Sequence, residues 1–293
     1  MKLAVLGPTA SGKTKLATAL AKLSGGTIIN GDPFQALEGC PIGTGQPTPQ
    51  DLDGQSAEGY GCFPLSTHLN PKDFGVSVNA WMKGLSETIC VTGSGIYLRG
   101  IWNQFSPLPE VPLSIIKNIR ERVDNLGTSH VYKELQVIDP DRANEIHPND
   151  RARVERALAL YEASGVLPSR LLSGFPLEIP ENWKVIILDP PRDVLRESIR
   201  RRIEHQFSSG WPREVKSLMA QGHESDLRRL RPLGYEILMD QTDISMAQKL
   251  ITIETQQYGK RQSTWFRHQI KNVLRLESIP DDPSIILDNL SRL

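Results

Sequence analysis

Eight residues near the start of the chain constrain its fold more than any other feature. Gly7-Pro8-Thr9-Ala10-Ser11-Gly12-Lys13-Thr14 fits the pattern GxxxxGK[ST] in full. A short apolar run, Lys2–Leu6, precedes it, and Lys15–Leu23 follows with helical spacing: Leu16, Ala19, Leu20 and Leu23 share one face. A glycine-rich loop between a strand and a helix turns successive backbone N–H groups and a helix N-terminus onto phosphate oxygens. Lys13 adds a point charge there, and the Thr14 hydroxyl is the expected Mg²⁺ ligand. The alternative is a tight strand–helix turn without a ligand. The context of strand and helix favours phosphate.

A second strand, Thr27–Asn30, completes a βαβ unit, so a parallel sheet is expected. Residues 41–75 are rich in Gly, Pro, Gln and Ser and read as a long loop with a short helix from Pro49. A helix over Asn79–Leu85, a buried strand at Thr88–Thr92 and a helix over Tyr97–Trp102 come next. Ser106–Pro112 has linker composition. Helical stretches at about 114–125, 129–137 and 150–164 then follow without a strand pattern, and Pro176 and Pro180 close them. Strand character returns at Trp183–Asp189. Helices are expected at about 191–206, 211–221, 232–239, 245–249 and 252–268, then a strand at Asn272–Leu276 and a helix over 282–292. The expected fold is α/β: a P-loop-type parallel sheet core (residues 1–112 and 183–293) with helices on both faces, interrupted by an all-helical insertion subdomain (113–182).

Composition excludes several classes. The cysteines Cys40, Cys62 and Cys90 are odd in number and carry no CxxC spacing, so neither a disulfide framework nor a zinc site is expected. No apolar run approaches 18 residues, and the start is too short for a signal peptide. A cytoplasmic protein acting as a monomer, without a membrane partner, is the expectation. Lys+Arg and Asp+Glu number 34 each, giving zero formal charge, which taken alone argues against a nucleic-acid partner. Yet Tyr258–Arg275 holds Lys260, Arg261, Arg267, Lys271 and Arg275 and no acid, with Trp265 and Phe266 between them. Lys260 and Arg261 suit RNA phosphates, whereas Trp265 and Phe266 read as core.

Three acidic or basic features remain open to more than one reading. Asp32 follows the second strand, where ligand sites of parallel sheets lie. It suits a general base or a water-mediated Mg²⁺ contact, and equally an Asx turn, since Pro33 follows. Asp189 imitates the acid of a Walker B strand, but a strand-ending Asp before Pro190-Pro191 is the commoner case. Arg200-Arg201-Arg202 reads as a surface run pairing with Glu197 and Glu204, with no site role.

Several segments together resemble one family, the tRNA dimethylallyltransferases. They are the P-loop; Asn30-Gly31-Asp32-Pro33-Phe34-Gln35; Ile42-Gly43-Thr44-Gly45-Gln46-Pro47-Thr48; and Val91-Thr92-Gly93-Ser94-Gly95-Ile96-Tyr97-Leu98. Further along come Ile146-His147-Pro148-Asn149-Asp150 with Arg153, Leu233-Gly234-Tyr235-Glu236, and Tyr258-Gly259-Lys260-Arg261-Gln262-Ser263-Thr264-Trp265-Phe266-Arg267. The resemblance implies transfer of a dimethylallyl group from its diphosphate to N6 of the adenosine 3′ of the anticodon. It implies Asp32 as the base and Gly7 to Thr14 with Ser94 as the diphosphate site. Lys13, Thr14 and Arg231 would act on the leaving group with Mg²⁺. The tRNA contacts it implies are Asp32, Pro33, Phe34, Gln35, Ser94, Asn149, Asp150, Arg153, Lys260, Arg261, Gln262 and Thr264. Departures from the family pattern are Pro33 for Ser, Gln46 for Lys, Ser94 for Thr and Gln256 for Arg. The other readings are an adenylate isopentenyltransferase, a P-loop small-molecule kinase using Asp189, and a tRNA-binding protein without turnover.

Overall fold

The computed structural model describes residues 2–105, 108–172 and 177–291. Residues 106–107 of the expected linker, Pro176 and residue 292 at the expected end of the last helix lie outside them. The first half of the chain runs β1 (Lys2–Leu6), α1 (Lys13–Ser24), β2 (Thr27–Asn30), α2 (Pro41–Thr44), α3 (Pro49–Leu52), β3 (Ala57–Glu58), α4 (Pro71–Trp81), β4 (Thr88–Thr92) and α5 (Gly95–Ile101). Helices α6 (Leu113–Leu126), α7 (Thr128–Ile138), α8 (Pro140–Asn144), α9 (Arg151–Ser164) and α10 (Pro168–Leu171) follow. Then come β5 (Trp183–Leu188), α11 (Arg192–Ser208), α12 (Trp211–Ala220), α13 (Glu224–Leu230), α14 (Tyr235–Asp240), α15 (Ile244–Gln269), β6 (Leu274–Leu276) and α16 (Ser284–Ser291).

The six strands form one sheet in the order β3-β2-β4-β1-β5-β6, and every pairing is parallel. Alternation along β1 sends Leu3 and Val5 to one face and Ala4 and Leu6 to the other. Leu3 and Val5 pack with Leu16, Leu20 and Ile286 of α1 and α16; Ala4 and Leu6 pack with Phe74, Leu98 and Phe266 of α4, α5 and α15. Both faces are thus covered, as a parallel sheet requires. The α/β fold with helices on both faces is as expected from sequence.

The chain divides into two compact units, Met1–Gln104 with Leu177–Leu293, and Phe105–Pro176. The division falls earlier at both ends than the expected 113–182: Val111 packs against the core of the second unit, while Leu177 and Ile179 pack into the core that contains Trp102 and Trp183. The second unit is all-helical among its described residues and has its own core of Ile119, Val123, Val131, Leu135, Val154 and Leu158.

Four local expectations are corrected. Helix α4 starts at Pro71 rather than near Asn79: the Asn70 side chain accepts from Asp73 N, and Pro71 takes the first turn, where its missing N–H costs nothing. The expected break at 250–251 is absent. Ala247, Ile251, Thr255 and Gly259 are buried at four-residue spacing, and α15 runs unbroken for 26 residues. In α1 the buried face is Leu16, Ala17, Leu20 and Ala21, while Leu23 is exposed. The last strand is only Leu274–Leu276, after Asn272 at φ +55.

Candidate active site

The register of the sheet brings the ligand-binding loops together. Leu6 lies opposite Thr92 on one side and Ile187 on the other, so Gly7, Gly93 and Leu188 emerge side by side at the carboxyl end. Gly7 sits so close to β5 that a Cβ there would lie 2.3 Å from the Leu188 carbonyl oxygen. In the loop, Lys13 Nζ donates to the Pro8 carbonyl at 2.6 Å. The Ser11 hydroxyl is buried and has no hydrogen-bond partner. A buried hydroxyl without a partner in a phosphate loop fits an anion that would accept from it.

A cavity of about 830 Å³ opens in front of the loop. Of the residues expected from sequence, Thr9, Ala10, Gly12, Lys13, Thr14, Asp32, Phe34, Gln35, Arg231 and Gln262 line it. Pro8, Ser11 and Pro33 adjoin lining residues along the chain and Gly7 lies two positions before Thr9, but none of the four lines the cavity. Ser94 does not line it either: it is one residue beyond the lining Gly93 and begins α5, its N–H bonded to Thr92 Oγ1 at 3.1 Å.

Asp32 makes the Asx turn and also lines the cavity. Its Oδ1 accepts from Phe34 N at 3.0 Å, an Asx turn, while Asn30 Oδ1 and Nδ2 hold its own N–H and C=O. The carboxylate therefore sits on the cavity wall in a fixed orientation. Burial raises its pKa above the ordinary carboxylate value, against the backbone bond from Phe34 and the charges of Lys13 and Arg202. Burial pulls Lys13 down to about 7, the Arg202 charge pulls the same way, and Asp32 opposes both.

Arg202 is the site residue that sequence reading missed. Arg200 and Arg201 do pair outward with Glu197, and Arg200 also with Glu204. Arg202 instead turns into the cavity and donates to the Thr44 carbonyl at 3.3 Å. Burial lowers its pKa, while Asp32 and Asp51 act to raise it. Its guanidinium lies on Gly45, at φ +64, where a Cβ would come 1.9 Å from Nη2. The loop beneath it is clamped from three helices. Glu214 accepts from Ile42 N (2.7 Å), Gly43 N (3.0 Å) and the Tyr235 hydroxyl (2.7 Å). Gln206 donates to the Ile42 and Gly43 carbonyls at 2.7 and 3.0 Å. The signal in sequence was helical phase: Arg202 lies three positions after the buried Ile199 and four before the buried Gln206.

Arg231 reaches the cavity edge with its side chain 75% exposed and 3.4 Å from Glu236. Gln262 faces inward, unlike Lys260, Arg261 and Thr264, which line a separate depression of about 540 Å³ with Trp265 and His268. Its amide accepts from Thr9 N and donates to Gly93 O, each at 2.8 Å, so it does not share their surface. Phe266 is core, as expected, and Trp265 is half-buried against Gly95. Asp189 is paired with Arg267 at 2.6 and 3.0 Å and does not line the cavity, which argues against the Walker B reading. In the second unit, Asp150 caps α9 and pairs with Arg153, and Asn149 N bonds to His147 Nδ1. Among the described residues no group of three or more His, Cys, Asp or Glu side chains gathers for a metal. Thr14 lines the cavity beside Lys13, where its hydroxyl could be one ligand of a Mg²⁺ that keeps several waters and takes phosphate oxygens of the substrate.

A glycine-rich loop on a doubly covered parallel sheet, facing a cavity lined by Asp32, Asp51, Lys13 and Arg202, defines an α/β protein with a P-loop-like core. The sequence matches the IPP transferase family over residues 35–269, and the isopentenyl transferase family over residues 1–58. The tRNA dimethylallyltransferase of Rhizobium meliloti is 31% identical over 94% of this chain and 95% of its own length. That of Oceanobacillus iheyensis is 29% identical over 97% and 92%. The tRNA isopentenylpyrophosphate transferase of Bacillus halodurans superposes with a TM-score of 0.69 at 27% identity, covering 99% of this chain and 94% of its own. A eukaryotic dimethylallyltransferase acting on tRNA shares the fold, with a TM-score of 0.76 at 20% identity. The chain belongs to the IPP transferase family.

Proposed function

We propose that the chain is a tRNA prenyltransferase that moves a dimethylallyl group from dimethylallyl diphosphate to N6 of the adenosine 3′ of the anticodon. The observation that carries this reading is the meeting of the phosphate loop, Lys13, Arg202 and Asp32 in one cavity. The amine nitrogen attacks the first allylic carbon as the bond from that carbon to the diphosphate oxygen breaks. Asp32, its pKa raised above the ordinary carboxylate value by burial, takes the proton the amine loses. The electron pair leaves with the diphosphate, whose charge meets the loop N–H groups, Lys13 and Arg202. Mg²⁺, bound at Thr14, would supply further neutralisation of that leaving charge.

Lys260, Arg261 and Thr264 offer the RNA a basic face on α15, and Asn149, Asp150 and Arg153 are the contacts proposed on the helical unit. No helix among the described residues is long and apolar enough to cross a membrane. The test is incubation with Mg²⁺, dimethylallyl diphosphate and an anticodon stem-loop carrying A-A-A from the third anticodon base, followed by nucleoside mass spectrometry. Prenylated adenosine is expected from the wild type. Asp32→Ala is expected to yield at least about a hundredfold less per minute. Equal products from both proteins would end the assignment of Asp32, and no product from either would end the reading.

A further inference from the structure

The cavity wall is not charged throughout. Lys13, Asp32 and Arg202 act on one another's charge over one part of it. Another part is apolar and continuous: Ala10, Phe34, Ile42, Ile203 and Trp211 line the cavity and belong to one hydrophobic cluster. Trp211, the first residue of α12, is 1% exposed. Its indole is wedged between two glycines from distant parts of the chain. A Cβ on Gly43 would lie 2.1 Å from Nε1, and one on Gly234 would lie 2.5 Å from Cη2 at the far side of the ring. The rings of Phe207 and Tyr235 meet it edge-on, each with its centroid 5.7 Å away. Nε1 has no hydrogen-bond partner, so packing alone sets the ring's place. An aromatic packed this closely cannot swing aside without displacing backbone.

We infer that Trp211 is a specificity-determining residue, the stop that limits the prenyl chain of the donor to five carbons. This rests on the reading of the chain as a prenyltransferase. In a displacement the reacting carbon lies between the attacking amine, at Asp32, and the departing diphosphate oxygen. The tail leaves that axis sideways, and it gains most by lying along apolar wall. That wall begins beside the charged groups, at Ala10 and at Phe34 two positions after Asp32, and it is backed at Trp211 by Phe207 and Tyr235. Five further carbons would have to displace the indole, and forcing extra carbons into a close-packed wall is destabilising.

The test compares dimethylallyl and geranyl diphosphates as donors to the anticodon stem-loop. The ratio of kcat/KM for the two is expected to favour the five-carbon donor at least about a hundredfold in the wild type. Trp211→Ala and Trp211→Leu are each expected to lower that ratio at least about tenfold. The ratio does not depend on the fraction of a variant that folds. Trp81→Leu removes an indole packed on Phe63 and Phe74, away from the cavity lining, and is expected to keep the wild-type ratio. A second measurement needs no variant. Trp211 is the one of the five tryptophans that lines the cavity. In isotope-labelled wild type, one indole N–H resonance should move on addition of dimethylallyl diphosphate and stay in place with pyrophosphate, which has no tail. Use of geranyl diphosphate by the wild type as well as the five-carbon donor overturns the inference and leaves prenyl transfer standing. So does a ratio unchanged in both Trp211 variants, or an indole spectrum that does not respond to the tail. Transfer from neither donor overturns the prenyltransferase reading, and the inference with it.

Discussion

Arg202 and Glu204 stand two positions apart on α11 and meet opposite fates. Glu204 pairs outward with Arg200, and Arg202 turns in to the Thr44 carbonyl. A run of three arginines reads as a solvated face, and two of the three obey that reading. The third is decided by helical phase, which only the packing of Ile199 and Ile203 fixes. Arg202→Gln is expected to lower kcat/KM about a hundredfold, as loss of one preorganised donor to a developing anion does. Arg200→Gln, removing an exposed pair, should stay within about twofold. Steady-state kinetics on the two variants separates them, and equal losses would remove Arg202 from the site. Lys13 gives a pH test. Its pKa is about 7 in the free protein, and a bound diphosphate raises it. Lys13's contribution to affinity is therefore full below about 7 and fades as pH rises through the liganded value. At pH 8, pyrophosphate binding should take up a proton, read by calorimetry in buffers of different ionisation enthalpy. Lys13→Arg stays charged throughout and should lose that uptake; identical uptake in both proteins would refute the assignment.

At the scale of elements, legibility followed the length of the pattern. The loop at Gly7–Thr14 and the strands β1, β2, β4 and β5 are local signals, and the sequence alone located them. Helix α4 was misplaced because its start is marked by Asn70-Pro71, capping chemistry inside a stretch whose Gly and Pro content suggests loop. The clamp on Cys40–Gly43 was invisible, since Gln206, Glu214 and Tyr235 lie more than 160 residues from the backbone groups they hold. That clamp makes Gly45 a test of the element rather than of one side chain. Gly45→Ala places a side chain at φ +64, costing about 1–2 kcal/mol, and also drives its Cβ into the Arg202 guanidinium. Gly25→Ala carries the same backbone strain at φ +68 in open space. Both variants should lose stability in denaturant titrations, Gly45→Ala the more because of the Arg202 contact, while only Gly45→Ala should lose activity, by at least about tenfold. Equal activity in the two would show that the loop does not set Arg202.

Over the whole molecule, zero net charge conceals a separated distribution. The basic run from Lys260 to Arg275 is balanced by acids elsewhere, so affinity for nucleic acid should depend on a few phosphate contacts. Lys260→Ala and Arg261→Ala are each expected to reduce the slope of log affinity against log salt by about one, measured on the stem-loop. An unchanged slope in both variants would move the RNA off α15. The order of the sheet carries a consequence of a different kind. β1, the strand that launches the phosphate loop, needs β4 on one side and β5 on the other, and about 90 residues separate those two partners. On a ribosome adding roughly 5–20 residues per second, β1 waits roughly 5–20 s with one edge open. The helical unit, whose core is complete within itself, is made in that interval and has all it needs to fold first. The nascent chain thus carries a half-built sheet with an exposed strand edge past a finished helical bundle, and that is the moment at which chaperones and edge-to-edge aggregation compete for it.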